Sequence, residues 1–389
     1  MNNRRLVTLT CFIAFIVMGV TTAILGPTLS YLAAALALPL ASAGILRAAQ
    51  QIGGISAPLG GGRLLDRHGP RYILLPGLLL MAVGLLSLIA SGNVIFGFVA
   101  SVLLGIGTGL VNLGGNVTIG ALYESNAAPV LAALHTCYGL GLFGGPLVAE
   151  WALTRQGNWQ AAYVVTAVLC AGLGLLFIRL PVTIRASTST RGDEPPRSRP
   201  AILWLPLLPL LLLLFMYNGA GSGMSDWLPT HLQLVAHSGV DAAAQVTSLY
   251  GLSLTIGRIL SIGALRQFGN MRVLAVAIGV AVVGAGLITF GGAQIGLVTV
   301  GVVMVGLGFA PIYPTVIAIG GQQQPENRGS VVGILAGLAS IGGIIIPVVQ
   351  GWVGAGQSGG MIVILVSALV MAAALTLVRT FSAQKYQAA

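Results

Sequence analysis

Charged residues are scarce in this chain. Of its 389 residues only 7% are Asp, Glu, Lys or Arg, while 56% are hydrophobic; an average soluble domain carries roughly 25% charged residues. Runs of about twenty apolar residues recur from end to end, each long enough to cross a hydrocarbon layer of ~30 Å as a helix. This composition excludes a soluble globular protein and predicts an all-α integral membrane protein.

Other absences narrow the function. Three scattered cysteines, Cys11, Cys137 and Cys170, define neither a disulfide framework nor a metal site. The sequence contains no phosphate-binding glycine loop and no nucleophile and base pattern, so we expect neither an enzyme nor a pump driven directly by ATP, and no cofactor. The net charge of +10 is spread between apolar runs without interleaved aromatics, so we expect no nucleic-acid partner.

The first apolar run, residues 6 to 35, follows the basic stretch NNRR and could be a cleaved signal peptide. It is much longer than the hydrophobic region of a signal peptide and is followed by another span. We therefore predict that it is the first transmembrane helix.

Breaks at Gly, Pro and charged residues divide the chain into twelve predicted spans. They lie near 6–32, 42–62, 72–90, 94–122, 131–153, 159–180, 201–232, 242–264, 272–290, 294–318, 329–351 and 359–380. The Ser-, Pro- and charge-rich stretch RASTSTRGDEPPRSRP separates the sixth and seventh spans. We predict an N-terminal six-helix bundle over 1–181, a cytoplasmic linker over 182–200 and a C-terminal six-helix bundle over 201–389.

Basic residues indicate the orientation of these spans. With a cytoplasmic N-terminus, nearly all loop Lys and Arg residues lie inside and Arg155 alone lies outside. The positive-inside rule therefore predicts a multi-pass cell-membrane protein with both termini on the cytoplasmic side. The small loops are typical of a bacterial inner membrane, and we expect a monomer in the lipid bilayer.

Residues 62 to 71, GRLLDRHGPR, follow the second span. They resemble the G-x(3)-D-R-x-G-x-R signature of the major facilitator superfamily, and the resemblance extends to the twelve spans and the central loop. It implies transport by alternating access about a site near the midplane. The residues that it assigns to a cytoplasmic gate are Gly62, Asp66, Arg67, Gly69 and Arg71.

Two asparagines stand four residues apart in the fourth span, within GTGLVNLGGNVTIG. Asn112 and Asn116 therefore share one helix face. Each amide offers two hydrogen-bond donors and an acceptor oxygen, which suits a hydroxyl-rich solute. The alternative is that both amides bond only to neighbouring helices; their position beside several glycines favours a transport cavity.

The stretches GLVNLGGNVTIGALY and AALHTCYGLGLFGGPLVA resemble the fucose:proton symporter and sodium-dependent glucose transporter branch of that superfamily. The resemblance implies a sugar substrate of hexose or deoxyhexose type. Where the branch carries coupling acids, this chain has Asn112, Gly221 and a position near Ala23. The side-chain amide of Asn does not ionise at working pH, so Asn112 cannot bind and release a coupling proton. This favours a uniporter; a coupling ion, H⁺ or Na⁺, would have to act through other residues.

The remaining polar residues of the spans complete a candidate set. The substrate-binding candidates are Asn112, Asn116, Gln51, His135, Asn218, Trp227, Tyr313 and Gln350. His135 could equally be a neutral hydrogen-bonding side chain, and Trp227 could anchor the helix at the membrane interface instead of stacking on a sugar ring. The coupling candidates are His135, Asp226, Arg47 and Glu150, and Glu150 is also considered as an ion-pair partner for Arg47.

A proton-coupled drug or metabolite exporter of the same superfamily is the competing interpretation. The stretch GLFGGPLVAE partly resembles the antiporter motif G-x-x-x-G-P-x-x-G-G, with Ala149 and Glu150 in place of its last two glycines. Multidrug sites are mostly apolar with one or two acids, whereas sugar sites are rich in Asn, Gln, Tyr and Trp. The amides of the candidate set favour the sugar.

Overall fold

A computed structural model describes residues 3–68, 70–123, 127–179, 203–324, 328–354 and 359–387. These residues form α-helices joined by short connections and contain no β-strand. The helices of the first half are α1 (Asn3–Ala23), α2 (Leu25–Ala35), α3 (Gly44–His68), α4 (Arg71–Ala90), α5 (Val94–Tyr123), α6 (Ala127–Thr154) and α7 (Gln160–Arg179). Those of the second half are α8 (Leu208–Leu234), α9 (Val240–Phe268), α10 (Asn270–Phe290), α11 (Ile295–Phe309), α12 (Ile312–Gln323), α13 (Arg328–Gly354) and α14 (Gly359–Gln387).

Ten helical segments of the described residues are long and apolar enough to cross a membrane. The predicted second and fifth spans correspond to α3 and α6, which are 25 and 28 residues long. The prediction of an all-α integral membrane protein is confirmed. Several helices extend past the predicted boundaries because polar residues continue them beyond the apolar segment, as in α9, which ends at Phe268.

Two spans are interrupted by proline. The first divides into α1 and α2 at Ile24, where Pro27 cannot donate to the carbonyl of Ala23. The tenth divides into α11 and α12, where Pro311 and Pro314 leave the carbonyls of Leu307 and Ala310 without helical donors. The tenth predicted span therefore consists of two helices, which together are long and apolar enough to cross a membrane.

Close contacts divide the chain into two units. Unit 1 comprises Met1–Thr188 and Ser238–Gly251, and unit 2 comprises Ser189–His237 and Leu252–Ala389. The first part of α9 thus groups with unit 1, a division that hydropathy alone does not indicate. The predicted linker over 182–200 lies outside the described residues.

Glycines set the helix spacing inside each unit. In unit 1, a Cβ on Gly141 of α6 would collide with the carbonyl oxygen of Ile16 on α1. In unit 2, a Cβ on Gly342 of α13 would collide with the carbonyl oxygen of Phe215 on α8. Because only glycine permits such close backbone approach, the first helix of each unit packs tightly against the fifth predicted span of the same half.

Candidate functional site

The two asparagines of α5 are joined by hydrogen bonds. Asn116 Nδ2 donates to the Asn112 carbonyl at 2.8 Å and to Asn112 Oδ1 at 3.0 Å. The shared face predicted from their spacing is therefore observed. Asn112 is exposed and Asn116 is half-buried, and Asn112 Nδ2 has no acceptor among the described residues. An unused amide donor thus remains at this surface.

His135 of α6 completes the cluster. Its Nε2 lies 3.1 Å from Asn116 Oδ1. Because an amide oxygen only accepts hydrogen bonds, Nε2 carries the proton and donates it. We call Asn112, Asn116 and His135 the amide–imidazole cluster. His135 is exposed, so the cluster is accessible as well as polar.

An aromatic ring supports the imidazole. Phe15 of α1 is fully buried and meets the His135 ring edge to face, with centroids 5.7 Å apart and an interplanar angle of 81°. Gly115 of α5 makes room for that ring, because a Cβ there would collide with Phe15 Cε2. Three helices therefore fix the imidazole: α1 through Phe15, α5 through Asn116 and α6 through the backbone of His135.

Arg47 of α3 occupies a separate buried position in unit 1. It is 4% exposed and donates to Gln50 Oε1 at 2.8 Å and to the Thr22 carbonyl at 2.9 Å. The side chain therefore does not extend to the surface. The binding candidate Gln51, four residues later on the same helix, is half-buried.

The pairing considered for Glu150 and Arg47 is not formed in this structure. Glu150 Oε1 accepts a hydrogen bond from Thr154 at 3.0 Å, and Glu150 lines an open pocket with Trp151 and Arg155. The carboxylate therefore lies near the end of α6 beside a different arginine.

In unit 2, three of the binding candidates take part in helix packing. Trp227 is 3% exposed and its Nε1 donates to the Pro347 carbonyl at 2.9 Å. Gln350 is fully buried, with Nε2 3.8 Å from Met361 Sδ. Asn218 Nδ2 donates to the Ala339 carbonyl at 3.0 Å. In this structure the buried Trp227 ring leaves no free face for a sugar ring.

Tyr313 and Asp226 lie in contrasting surroundings. Tyr313 is 36% exposed and belongs to an aromatic group with Tyr217, 6.1 Å between ring centroids, and Phe309, which lies 5.6 Å from Tyr217. Asp226 is 1% exposed inside unit 2. Tyr313 is thus partly accessible in unit 2, whereas Asp226 is enclosed.

The predicted gate motif falls largely outside the described residues. Gly69 is not among the described residues, and the side chains of Asp66 and Arg67 are not described either. Gly62 belongs to the same stretch, 58–69. Arg71 is described and begins α4. The role assigned to the motif stays a prediction.

Two buried side chains near the candidate residues were not predicted from the sequence. Phe15 lies in an apolar run in which hydropathy does not distinguish one residue from another. His231 of α8 is 4% exposed; its only sequence signal is its position in the last turn of an apolar helix.

The ten candidate spans of the described residues define the class of a multi-pass membrane protein. The sequence profile of the Major Facilitator Superfamily matches residues 11–347. The chain belongs to this superfamily, which confirms the resemblance carried by the motif after the second span, and it is not an enzyme.

Relatives with assigned functions match only in part. The chain is 33% identical over 142 residues to the sodium-dependent glucose transporter 1 of Homo sapiens, covering 36% of this chain and 27% of that protein. It is 28% identical over 142 residues to the multidrug resistance protein D of Escherichia coli (strain K12), covering 36% and 34%. The chain thus spans about a quarter to a third of the length of these curated relatives.

Solved structures match over nearly the whole chain. A nucleoside transporter NupG variant superposes with a TM-score of 0.76 at 15% identity, covering 96% of this chain and 99% of that chain. A D-xylose-proton symporter superposes with a TM-score of 0.75 at 16% identity, covering 94% and 96%. These similarities establish the major facilitator fold.

Proposed function

We propose that this protein carries a sugar of hexose or deoxyhexose type across the cell membrane by alternating access. The observation that carries the proposal is the amide–imidazole cluster of Asn112, Asn116 and His135. Its accessible donors and acceptors lie on transmembrane helices, where exposed polar groups are costly unless they face a cavity or a solute. The partial similarity to the human sodium-dependent glucose transporter supports the same substrate class.

The chemistry of the cluster matches a polyhydroxylated solute. A sugar hydroxyl both donates and accepts, and the cluster supplies the free Nδ2 donors of Asn112 together with amide oxygens that can accept. None of its groups carries a negative charge. The cluster can therefore bind a neutral solute, and it lacks the acid that would couple binding to H⁺ or Na⁺ in the manner of the related branch.

Because the cluster contains no acid, we infer that sugar binding there is not coupled to an ion and that the protein can act as a uniporter. If transport is driven by an ion, the coupling group lies elsewhere in the chain. We further propose that the protein is a monomer in a bacterial inner membrane. The distribution of basic residues supports an orientation with both termini in the cytoplasm.

A proton-coupled exporter of drugs or metabolites is the second candidate. It is favoured by the 28% identity to multidrug resistance protein D over 142 residues. Multidrug substrates are often lipophilic cations. Binding one beside Asn112 and Asn116 would bury the two side-chain amides without hydrogen-bond partners, so this site suits such a substrate poorly. We therefore rank this candidate below the sugar carrier.

Counterflow in proteoliposomes distinguishes the two candidates. Vesicles loaded with unlabelled D-glucose or L-fucose are diluted into the labelled sugar, and transient accumulation of label is followed. A sugar carrier shows this transient whether or not an ion gradient is imposed. Absence of counterflow for both sugars, together with ethidium transport driven by a proton gradient, would reverse the ranking.

A further inference from the structure

The end of α6 that is predicted to lie outside the cell carries a polar cleft that the proposed transport function does not use. Glu150, Trp151 and Arg155 line this open cleft, which has a volume of about 480 Å³. Glu150 lies about 22 Å from His135 along the helix axis, because each helical residue advances about 1.5 Å. The Glu150 cleft, as we call it, is therefore separate from the amide–imidazole cluster.

The two charged side chains of the Glu150 cleft do not neutralise each other. Glu150 is half-buried, and its Oε1 accepts a hydrogen bond from Thr154 Oγ1 at 3.0 Å. Within the described part of the chain, Glu150 Oε2 has no donor and the exposed Arg155 guanidinium has no acceptor, and neither residue forms an ion pair. The cleft therefore offers one unused charge of each sign, which a ligand carrying both charges can satisfy.

The second half of the chain provides an internal comparison, because the two halves of a major facilitator protein are structural repeats. Helices α6 and α13 are the fifth predicted spans of their halves, and each has a tryptophan five residues after its internal proline. Trp151 and Trp352 are 38% and 69% exposed, as expected of aromatic anchors at a membrane interface. The residue before Trp352 is Gly351, whereas Glu150 precedes Trp151. Anchoring thus accounts for both tryptophans but not for the carboxylate of the first half.

Arg155 is the one basic residue that the predicted orientation places in an outer loop. It therefore does not help to orient the chain, since orientation follows the excess of basic residues inside. The anion always present at a membrane surface is the phosphate of phospholipids, which a guanidinium binds with two parallel hydrogen bonds. The Glu150 carboxylate adds a requirement for a cation, and it favours a primary ammonium, which donates three hydrogen bonds, over a trimethylammonium, which donates none.

An apolar stripe runs along α6 from the Glu150 cleft. Trp151, Leu147 and Leu140 lie on one face of the helix, because spacings of four and seven residues correspond to one and two turns. Leu147 is half-buried and Leu140 is 46% exposed, about 16 Å from Trp151 along the axis. Acyl chains attached to the headgroup would cover this stripe, which favours a lipid over a soluble phosphate ester.

We propose that the Glu150 cleft binds the headgroup of a phospholipid with a primary ammonium group, of the phosphatidylethanolamine type. The Arg155 guanidinium donates hydrogen bonds to the phosphate, and the Glu150 carboxylate accepts them from the ammonium. Trp151 lies between these two groups in the chain and lines the same cleft, and the acyl chains follow the stripe towards Leu140. The assignment does not depend on which solute the protein transports.

Native mass spectrometry of the purified full-length protein tests this site, in detergent from which co-purified lipid has been removed. The probes are dioleoyl phosphatidylethanolamine, phosphatidylcholine and phosphatidylglycerol, and binding of the first lipid molecule is titrated. The variants are Arg155→Ala and Glu150→Gln. Arg266→Ala is the control, because Arg266 is also an exposed arginine in the last turn of its helix and does not line the cleft.

We expect wild type and Arg266→Ala to bind phosphatidylethanolamine about tenfold more tightly than the other two lipids, because only this headgroup supplies both charges and ammonium donors. Arg155→Ala should lose this preference. Glu150→Gln should bind phosphatidylethanolamine more weakly but phosphatidylglycerol more tightly than wild type does, because the carboxylate that repels the anionic lipid is gone. A general structural defect would weaken binding of all three lipids and would not produce this reversal.

Three results would overturn the proposal. One is equal binding of the three lipids by wild type, and another is an unchanged preference in Arg155→Ala, whose exposed position makes misfolding no explanation. The third is displacement of bound phosphatidylethanolamine by an equal concentration of glycerophosphoethanolamine, which lacks acyl chains and would identify a soluble ligand. None of these results bears on sugar counterflow, so the proposed transport function stands or falls separately.

Discussion

His135 donates a hydrogen bond from Nε2 to the side-chain oxygen of Asn116, 3.1 Å away on the neighbouring helix. This bond joins α5 to α6 at the position where the sequence most strongly indicates a substrate site. It also fixes the tautomer of His135 and turns the Asn116 amide so that Nδ2 faces Asn112. The donors that remain unused are those of Asn112, so the geometry presents a defined polar face rather than isolated amides.

Gly115→Ala should lower sugar affinity. The new methyl group would collide with Phe15, the ring that contacts His135, so the fold should lose about 1–3 kcal/mol of stability, as for overpacked interiors. Because the imidazole should move with that ring, sugar binding should weaken as well. Gly120→Ala on the same helix is the matched control, because its Cβ would meet nothing within 4 Å. Counterflow rates at several sugar concentrations measure the change in half-saturation. Equal effects of both variants would show that Phe15 does not position the cluster.

Arg47→Leu should destabilise unit 1. It removes the donor to Gln50 Oε1 and to the Thr22 carbonyl, and leaving a buried acceptor unpaired costs about 1–3 kcal/mol. We expect a lower melting temperature in detergent. It is measured from the fraction of protein that stays monodisperse after heating. Arg155→Leu at an exposed position is the control and should melt within about one degree of wild type. An unchanged melting temperature for Arg47→Leu would mean that these hydrogen bonds contribute little.

Gly342→Ala should impair folding of unit 2. Its Cβ would collide with the backbone carbonyl oxygen of Phe215, which cannot move without shifting α8, so a cost of at least about 1–3 kcal/mol is expected. Gly337→Ala on the same helix meets nothing within 4 Å and should be neutral or slightly stabilising. The yield of monodisperse protein and its melting temperature measure both effects. Similar values for the two variants would contradict the observed spacing of α8 and α13.

Orientation can be tested with alkaline phosphatase fusions, which are active only outside the cytoplasm. A fusion after Gly157, in the connection between α6 and α7, should be active, whereas one at Ser189 in the predicted linker should be inactive. The reverse pattern would place both termini outside and would invalidate the orientation based on basic residues.

Much of the fold follows directly from the sequence, because crossing a membrane requires long apolar helices and these are visible in hydropathy. The shared face of Asn112 and Asn116 follows equally from helix geometry. The contact between Asn116 and His135 does not, because it depends on the rotation of α5 against α6. Trp227 resembled an interfacial or stacking residue, yet Pro347 on a helix 120 residues later accepts its hydrogen bond. The burial of Trp227 depends on packing between helices that are far apart in the sequence, so hydropathy along the chain does not predict it.

The pairing considered for Arg47 and Glu150 shows the same limitation. Opposite charges near the ends of two spans suggest an ion pair, but Arg47 instead bonds to Gln50 within its own helix and to the Thr22 carbonyl. Likewise, no sequence pattern distinguishes His231, whose burial results from the packing of α8 against its neighbours.

The central claim, that the amide–imidazole cluster binds a transported sugar, is tested most directly by counterflow of labelled D-glucose and L-fucose through wild type and Asn116→Ala in parallel. Asn93→Ala, which removes the amide that caps the start of α5, is the control. We predict counterflow of at least one sugar by wild type and by Asn93→Ala, with a half-saturation concentration raised about tenfold or more in folded Asn116→Ala. Counterflow by Asn116→Ala that matches wild type at every sugar concentration would contradict the account.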